Sequence, residues 1–410
     1  MIIKYRSLFG LSCTALLIFC SSAAQAVPSF ARQTGLACAS CHTTFPELTA
    51  FGRDFKLKGY TLSSNKRIDM GANGEPNTLS ISDFPPISVM LQANATQQKA
   101  SSPSANVELP NQLSLFLAGR ISPDMGAFIQ TTMGQGTGFS MDNTDIRLAK
   151  VFGSTIYGLT LNNNPTVQDV WNSTPAWGYP WTGGAAVTAP LVAGGLAQNV
   201  AGLGAYAKWD NGIYGELSLY RETNGFDAPG GGVLGTARIK GLAPYWRLAW
   251  DRNFSNGDTL MVGTYGIQAK VYDNASSPLP GDDQYTDVAI DTQYEHPFSN
   301  SRDMLSVHAS YTHEKQKLGL SAPGTSPTLK SLRLDGTYHW DNEVTTTLGL
   351  SHNSGNAGAY DDNAWTAQLS YLPWQNTKFT LQYTGYTKLA GSTSSVSDNN
   401  TLLAQAWLMW

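Results

Sequence analysis

Four cysteines and six histidines are the soft metal-binding and thiol-bond-forming residues of this 410-residue chain, and one pentapeptide gathers three of them. Cys38, Cys41 and His42 stand in Cys-Ala-Ser-Cys-His. C-x-x-C-H is the attachment pattern of a c-type haem. Two thiols one helical turn apart reach the two vinyl groups and form thioethers, and the adjacent imidazole lies under the iron as proximal ligand. A structural zinc site would need two more Cys or His ligands at close spacing, and the next histidine after His42 is His296. A disulfide would leave His42 without a role. The distal ligand stays open: Met70 is the only methionine between residues 27 and 80, and His308 and His339 are alternatives farther along the chain.

This chemistry is assembled outside the cytoplasm, and the start of the chain agrees. Lys4 and Arg6 precede GLSCTALLIFC, then small residues ending Ala24-Gln25-Ala26. That is the layout of a secretory signal over residues 1–26, too short in its apolar part to span a membrane. Its removal takes Cys13 and Cys20 with it. Phe19 directly before Cys20 is too bulky for a lipoprotein signal.

Residues 27–80 read as a small helical haem module. Thr44-Phe-Pro-Glu47 matches a capping box, with Thr44 as N-cap and Glu47 reaching back. The helix then runs to Lys58 and stops at Gly59, a common left-handed terminator. Leu48, Phe51 and Phe55 share one face, suited to an apolar ring system, and Arg53, Lys56 and Lys58 are candidates for pairing with haem propionates. A module this small seldom builds a sufficient core alone. Either the haem or the rest of the chain must complete it.

From residue 86 to 410 the helical period disappears. Apolar–polar alternation takes over, interrupted by Gly, Asn, Asp, Pro and Ser clusters. Seven short turns, at 122–124, 151–154, 209–212, 254–258, 297–303, 340–343 and 373–377, alternate with eight longer loops. The loops lie near 98–110, 134–142, 162–199, 222–238, 273–283, 316–326, 353–362 and 389–400. Fifteen connections predict sixteen antiparallel strands. Strict short–long alternation is the pattern of an outer-membrane barrel, short turns facing the periplasm. Only 14% of residues are charged, against about 25% in ordinary globular proteins. With a formal net charge of −4 and no basic stripe, a nucleic-acid partner is excluded; outer-membrane lipid is the expected surrounding.

Parity assigns the faces. Leu305, Val307, Ala309, Tyr311, Leu332, Leu334, Tyr338 and Trp340 are expected toward lipid. Ser306, His308, Ser310, Thr312, Arg333, Asp335, Thr337 and His339 then point to the lumen. Trp209, Trp250, Trp340, Trp374, Tyr294 and Trp410 fall by the short turns as an aromatic girdle. The loop at 162–199, with Trp171, Trp177, Tyr179 and Trp181, reads as a surface loop, with a lumen constriction or a docking surface as alternatives. The glycines 230–232 do not open a helix after a strand and form no nucleotide site.

The combination resembles a known family. FARQTG, the CxxCH motif and FP-L--FGR-FK--GY, densest over residues 27–62 and followed by a sixteen-stranded barrel, are similar to the fused monohaem cytochrome–porins of bacterial outer membranes. Their best-known members are outer-membrane iron oxidases. The resemblance implies one covalent haem c on Cys38 and Cys41 with His42 as proximal ligand, in a cytochrome domain plugged into or under the pore. It implies electrons taken from an extracellular donor such as Fe(II) and passed to a periplasmic c-type cytochrome, so that the carrier acts as an Fe(II) oxidase only at its outer face. Export of electrons to an extracellular acceptor, or a solute porin with a redox-sensing module, are the alternative functions.

Overall fold

Strands form where apolar and polar side chains alternate with a period of two, since successive side chains then serve opposite faces of a sheet. The structure is a computed structural model that describes residues 27–62, 67–69, 80–82, 85–134, 138–165, 169–174, 189–223, 238–272, 280–299, 301–356 and 360–410. Residues 1–26, Met70, Trp177, Tyr179, Trp181 and the glycines 230–232 lie outside the described residues. Among the described residues, sixteen antiparallel strands close a barrel. The first eight are β1 (Ile87–Gln98), β2 (Ala105–Ser122), β3 (Met125–Gly134), β4 (Phe139–Phe152), β5 (Thr155–Asn162), β6 (Val200–Lys208), β7 (Ile213–Glu222) and β8 (Ala243–Asn253). The second eight are β9 (Thr259–Tyr272), β10 (Asp283–Pro297), β11 (Met304–Leu318), β12 (Thr328–Trp340), β13 (Val344–Gly355), β14 (Asp362–Trp374), β15 (Thr377–Lys388) and β16 (Thr401–Met409). Each pairs with the next, and β16 returns to β1 with Met409 opposite Met90 and Thr401 opposite Gln98. A two-residue strand, Arg238–Ile239, continues the line of β8 along the end of β9.

The strand count and the alternation of short turns with longer loops match the sequence reading. Strands reach into stretches read as loop at several ends, farthest at two. β2 starts at Ala105 and β4 at Phe139, inside stretches read as loop. These polar ends pair with their neighbours (Asn106 opposite Thr96, Ser140 opposite Thr132), so backbone hydrogen bonding extends the strands past the apolar pattern that marks them in sequence.

The side chains are sorted inside-out relative to a water-soluble domain. Leu203, Leu217, Ile290, Leu348 and Leu350 are exposed on the outer wall, whereas Ser306, His308, Ser310, Thr312, Asp335, Thr337 and His339 are buried within. Lipid solvates the first set, and the lumen holds the second. Trp209, Trp250, Trp340, Trp374 and Trp410 are exposed near the short turns, at the level of a membrane interface. Among the described residues no helix is long and apolar enough to cross a membrane; the crossing elements are the strands.

Three short α-helices precede the barrel among the described residues: α1 (Pro28–Thr34), α2 (Cys38–Cys41) and α3 (Ala50–Leu57). They pack against inward-facing wall residues. Cys38 and Phe45 join Met90, Phe116, Leu372, Trp407 and Met409 in one apolar cluster, and Leu57 joins Ala149, Ile156, Tyr206 and Tyr214 in another. The helical segment therefore lies in the lumen, at the end carrying the short turns.

Candidate functional site

The Cys-x-x-Cys-His turn is built by two neighbours. α1 begins on Pro28, whose fixed φ suits a first helical turn, and its side chains stitch it to the wall. Gln33 donates from Nε2 to the Ala118 carbonyl at 3.0 Å and accepts the Arg120 N–H at 3.1 Å. The Ser29 N–H donates to Ser88 Oγ at 2.7 Å. The chain then turns into α2, where the Cys38 N–H donates to Gln375 Oε1 at 2.7 Å and the His42 N–H to the Cys38 carbonyl at 2.9 Å. α3 packs directly on this turn. At Gly52 a Cβ would lie 2.2 Å from the Cys41 carbonyl oxygen, so only glycine allows the two backbones to meet.

The helix start differs from the sequence reading. Thr49, not Thr44, is the N-cap: its Oγ1 accepts the Gly52 N–H at 3.1 Å and donates to the Ser40 carbonyl at 2.7 Å. Thr44–Glu47 is instead a closed turn, with the Glu47 N–H on the Thr44 carbonyl at 2.7 Å. The Glu47 carboxylate receives the Thr43 hydroxyl at 3.1 Å rather than reaching back to Thr44. The helix stops at the expected place, Gly59 having φ +71°, and a Cβ there would lie 3.1 Å from the backbone oxygens of Arg147 and Asp124.

Both thiols are free, Cys38 buried and Cys41 half-buried. His42 Nδ1 meets the Glu47 carbonyl at 3.0 Å. With Nδ1 donating, the neutral ring carries its proton there and keeps the Nε2 lone pair for a metal, the orientation that ligating histidines usually receive from a backbone carbonyl. Burial pushes the His42 pKa down to about 4, the Glu47 and Pro46 carbonyls working against it, so the imidazole is in its ligating form at neutral pH. Phe45 stands edge-on to His42 at 5.6 Å, and Phe51 stays 42% exposed within the lumen. Two thiols at i and i+3, an oriented imidazole and an uncovered phenyl ring fit a c-type haem.

The proposed propionate partners divide. Arg53 turns to the barrel wall and forms a two-pronged ion pair with Glu295 of β10, at 2.8 and 3.0 Å, while Nη1 also donates to the Leu48 carbonyl at 2.9 Å. It is an anchor of α3 to the wall, and its guanidinium is committed there. Lys56 faces the side of the lumen that carries Arg147, Asp145, Asp169 and Glu216; burial pushes its ammonium pKa down to about 8, Arg147 adding to the effect. Of the distal candidates, His308 has both ring nitrogens engaged, with Asp335 at 3.0 Å and Gln293 at 3.3 Å. His339 Nε2 meets Ser306 Oγ at 3.1 Å, and its Nδ1 is buried without a partner.

Several tie points had no local signal. Tyr60 donates to Asp145 at 2.6 Å, Tyr206 donates to the Leu57 carbonyl at 2.7 Å, and Lys378 donates to the Phe45 carbonyl at 2.8 Å. Residues 169–174 of the long loop also turn inward and are buried, which corrects the surface-loop reading. The cause is Arg247, an inward base on β8. It pairs with Asp291, lies 3.7 Å from Asp169 and sits over the Trp171 ring at 5.0 Å. Asn172 Oδ1 then accepts the Leu48 N–H at 3.3 Å, joining loop to module. Inward parity of Arg247 between apolar neighbours was the one available hint.

No protein-family model and no curated protein matches the chain. Among solved structures it is similar to a loop-deleted form of OmpT, an outer membrane protein of Vibrio cholerae. That match has 9% identity and a TM-score of 0.50 over 79% of this chain and 98% of that one. The OmpF of Salmonella typhi, solved with daunomycin, aligns at 11% identity and TM-score 0.49 over 79% and 97%. An anion-selective porin from Comamonas acidovorans aligns at 13% and 0.48 over 79% and 98%. The first of these carries the likeness, and it is one of fold: the chain folds as a porin-like antiparallel β-barrel.

Proposed function

We propose that this is an outer-membrane electron-transfer protein. One haem c, held by Cys38, Cys41 and His42, lies within the periplasmic mouth of the pore, and the protein takes electrons from an extracellular donor, Fe(II) first among them, for delivery to a periplasmic c-type cytochrome. The observation that carries the reading is the oriented His42 beside two free thiols on a segment tied to the lumen wall. Bound there, the haem would supply a one-electron carrier whose potential the axial ligands and burial tune.

The chain's own residues do the rest. Gln375, Gln33 and Ser88 hold the Cys-x-x-Cys-His turn at the short-turn end, open to a periplasmic partner. The Arg53–Glu295 pair and the Tyr60–Asp145 bond keep α3 inside the wall. A carrier in the periplasm would be separated from an extracellular donor by about 30 Å of hydrocarbon, and lodging the module in the lumen shortens that gap. A solute porin with a redox-sensing module is compatible with the fold, but residues 27–62 and 169–174 occupy lumen that a solute would need. Anaerobic mixing of oxidised protein with Fe(II) tests the proposal. The haem absorption bands should shift to the reduced form, and absence of reduction across the accessible pH range would refute the Fe(II) assignment.

A further inference from the structure

Charge on the barrel wall is sorted by sign as well as by polarity. Among the described strand residues, the carboxylates point inward: Asp145, Glu216, Asp251, Asp283, Asp287, Asp291, Glu295, Glu314 and Asp335 are all buried in the lumen. Tyrosines apart, the ionisable residues at the described lipid-facing strand positions are bases. Lys150, Arg252 and His296 stand at the short-turn end, and Arg221, Lys270, His313, Lys315, Lys317, Lys330 and His352 at the long-loop end. Six of these last seven fall within the sector of five adjacent strands β9 to β13, on every strand of it but β10. The lysines are exposed. Two other lysines at the long-loop end are neutralised, Lys240 by Asp282 at 3.1 Å and Lys388, the last residue of β15, by Asp361 at 2.7 Å. Lys315, Lys317 and Lys330 have no such partner among the described residues.

The same sector carries a groove on the outer wall, about 430 Å³ in volume, between β10 and β11. Cross-strand pairs grade its lining along the membrane normal. Ile290 lies opposite Tyr311, Val288 opposite His313 and Thr286 opposite Lys315. Lys330 of β12 flanks His313 from the other side. The lower part is apolar, with Ile290 61% exposed, and the upper part is basic. An acyl chain below and an anionic headgroup above match this order, because burying CH₂ groups and pairing lysines with phosphate act at the two depths where each is available.

We propose that this sector, β9 to β13, binds a phosphorylated glycolipid of the outer leaflet. Its acyl chain lies along Ile290, Val288 and Tyr311, and its headgroup phosphate rests between Lys315, Lys317 and Lys330, with His313 at the boundary. A second barrel does not suit the position. Its wall presents bases at the same level and no carboxylate at a described lipid-facing strand position, so like charges would meet.

The test is lipid retention on the full-length protein in detergent, measured by native mass spectrometry during titration with bis-phosphorylated lipid A. Each lysine near an anionic surface contributes roughly fivefold in binding. Lys315→Gln/Lys317→Gln/Lys330→Gln should therefore weaken retention by about a hundredfold, while Lys150→Gln/Arg252→Gln at the other end leaves it unchanged. Dephosphorylated lipid A should bind the unaltered protein correspondingly less, which tests the site even where the triple variant fails to fold. Equal retention of both lipids would show an acyl-only contact and overturn the proposal. So would equal loss in the two sets of variants, or a stable dimer formed through this face in place of lipid.

Discussion

Replacing Arg53 by Met would strand Glu295 in the lumen wall without its cation. The pair is bidentate at 2.8 and 3.0 Å, with side chains only 1% and 6% exposed. Removing one partner of such a buried pair typically costs about 3–5 kcal/mol, because the other charge remains desolvated. Two observations place this case at the lower end. Glu295 keeps hydrogen bonds from Thr259 at 2.7 Å and Gln293 at 3.1 Å. Arg53 Nε is itself buried without an acceptor, a cost that Met removes. About 3 kcal/mol corresponds to roughly 150-fold in the equilibrium between a docked and a released module. The assay is conductance of the purified protein in planar bilayers. The unaltered protein should be largely closed, and Arg53→Met should open in frequent, long-lived steps. Arg53→Met/Glu295→Leu should close again, since replacing a buried pair by apolar groups of similar size is close to neutral. Equal conductance in the unaltered protein and Arg53→Met, or no recovery in the double variant, would show that the Arg53–Glu295 pair does not hold the module in the lumen.

Further outcomes follow from the same contacts. Cys38→Ala should abolish covalent haem, read as loss of peroxidase staining of the band on denaturing gels, with the barrel's heat-modifiable mobility retained. Gly52→Ala places a Cβ 2.2 Å from a backbone oxygen that cannot move aside like a side chain. It should destabilise the module by about 1–3 kcal/mol or more, seen as early melting of the haem signal ahead of the barrel. Arg247→Met leaves Asp169 and Asp291 without their shared cation. The segment 169–174 should become cleavable by added protease from the long-loop side at least a hundredfold faster, on the same buried-pair cost of about 3–5 kcal/mol.

The barrel is legible because its signal is local and repeated. Alternation along each strand is enforced by lipid on one face and the lumen on the other, and the seven short turns announce themselves in Gly, Asn, Asp and Pro. The Cys-x-x-Cys-His turn is legible for the same reason, its members being neighbours. What escapes is the docking. Arg53 and Glu295 are 242 positions apart, and nothing near either residue identifies the other. Arg53 therefore read as a propionate partner when it is a wall anchor. Thr44 matched a capping motif, yet the turn closed by the Glu47 N–H and the Thr49 hydroxyl starts the helix later. Trp171 read as part of a surface loop because the lumen base that draws it in, Arg247, lies on another strand.

The proposed function requires electrons to cross the outer membrane through one module held inside the barrel. The direct measurement uses proteoliposomes with the long-loop side outward, a c-type cytochrome trapped within and Fe(II) in a membrane-impermeant chelate added outside under argon. The trapped cytochrome should be reduced, and Cys38→Ala or His42→Ala should abolish that reduction. Reduction at the same rate in Cys38→Ala vesicles, or none in vesicles of the unaltered protein, would contradict the proposed function.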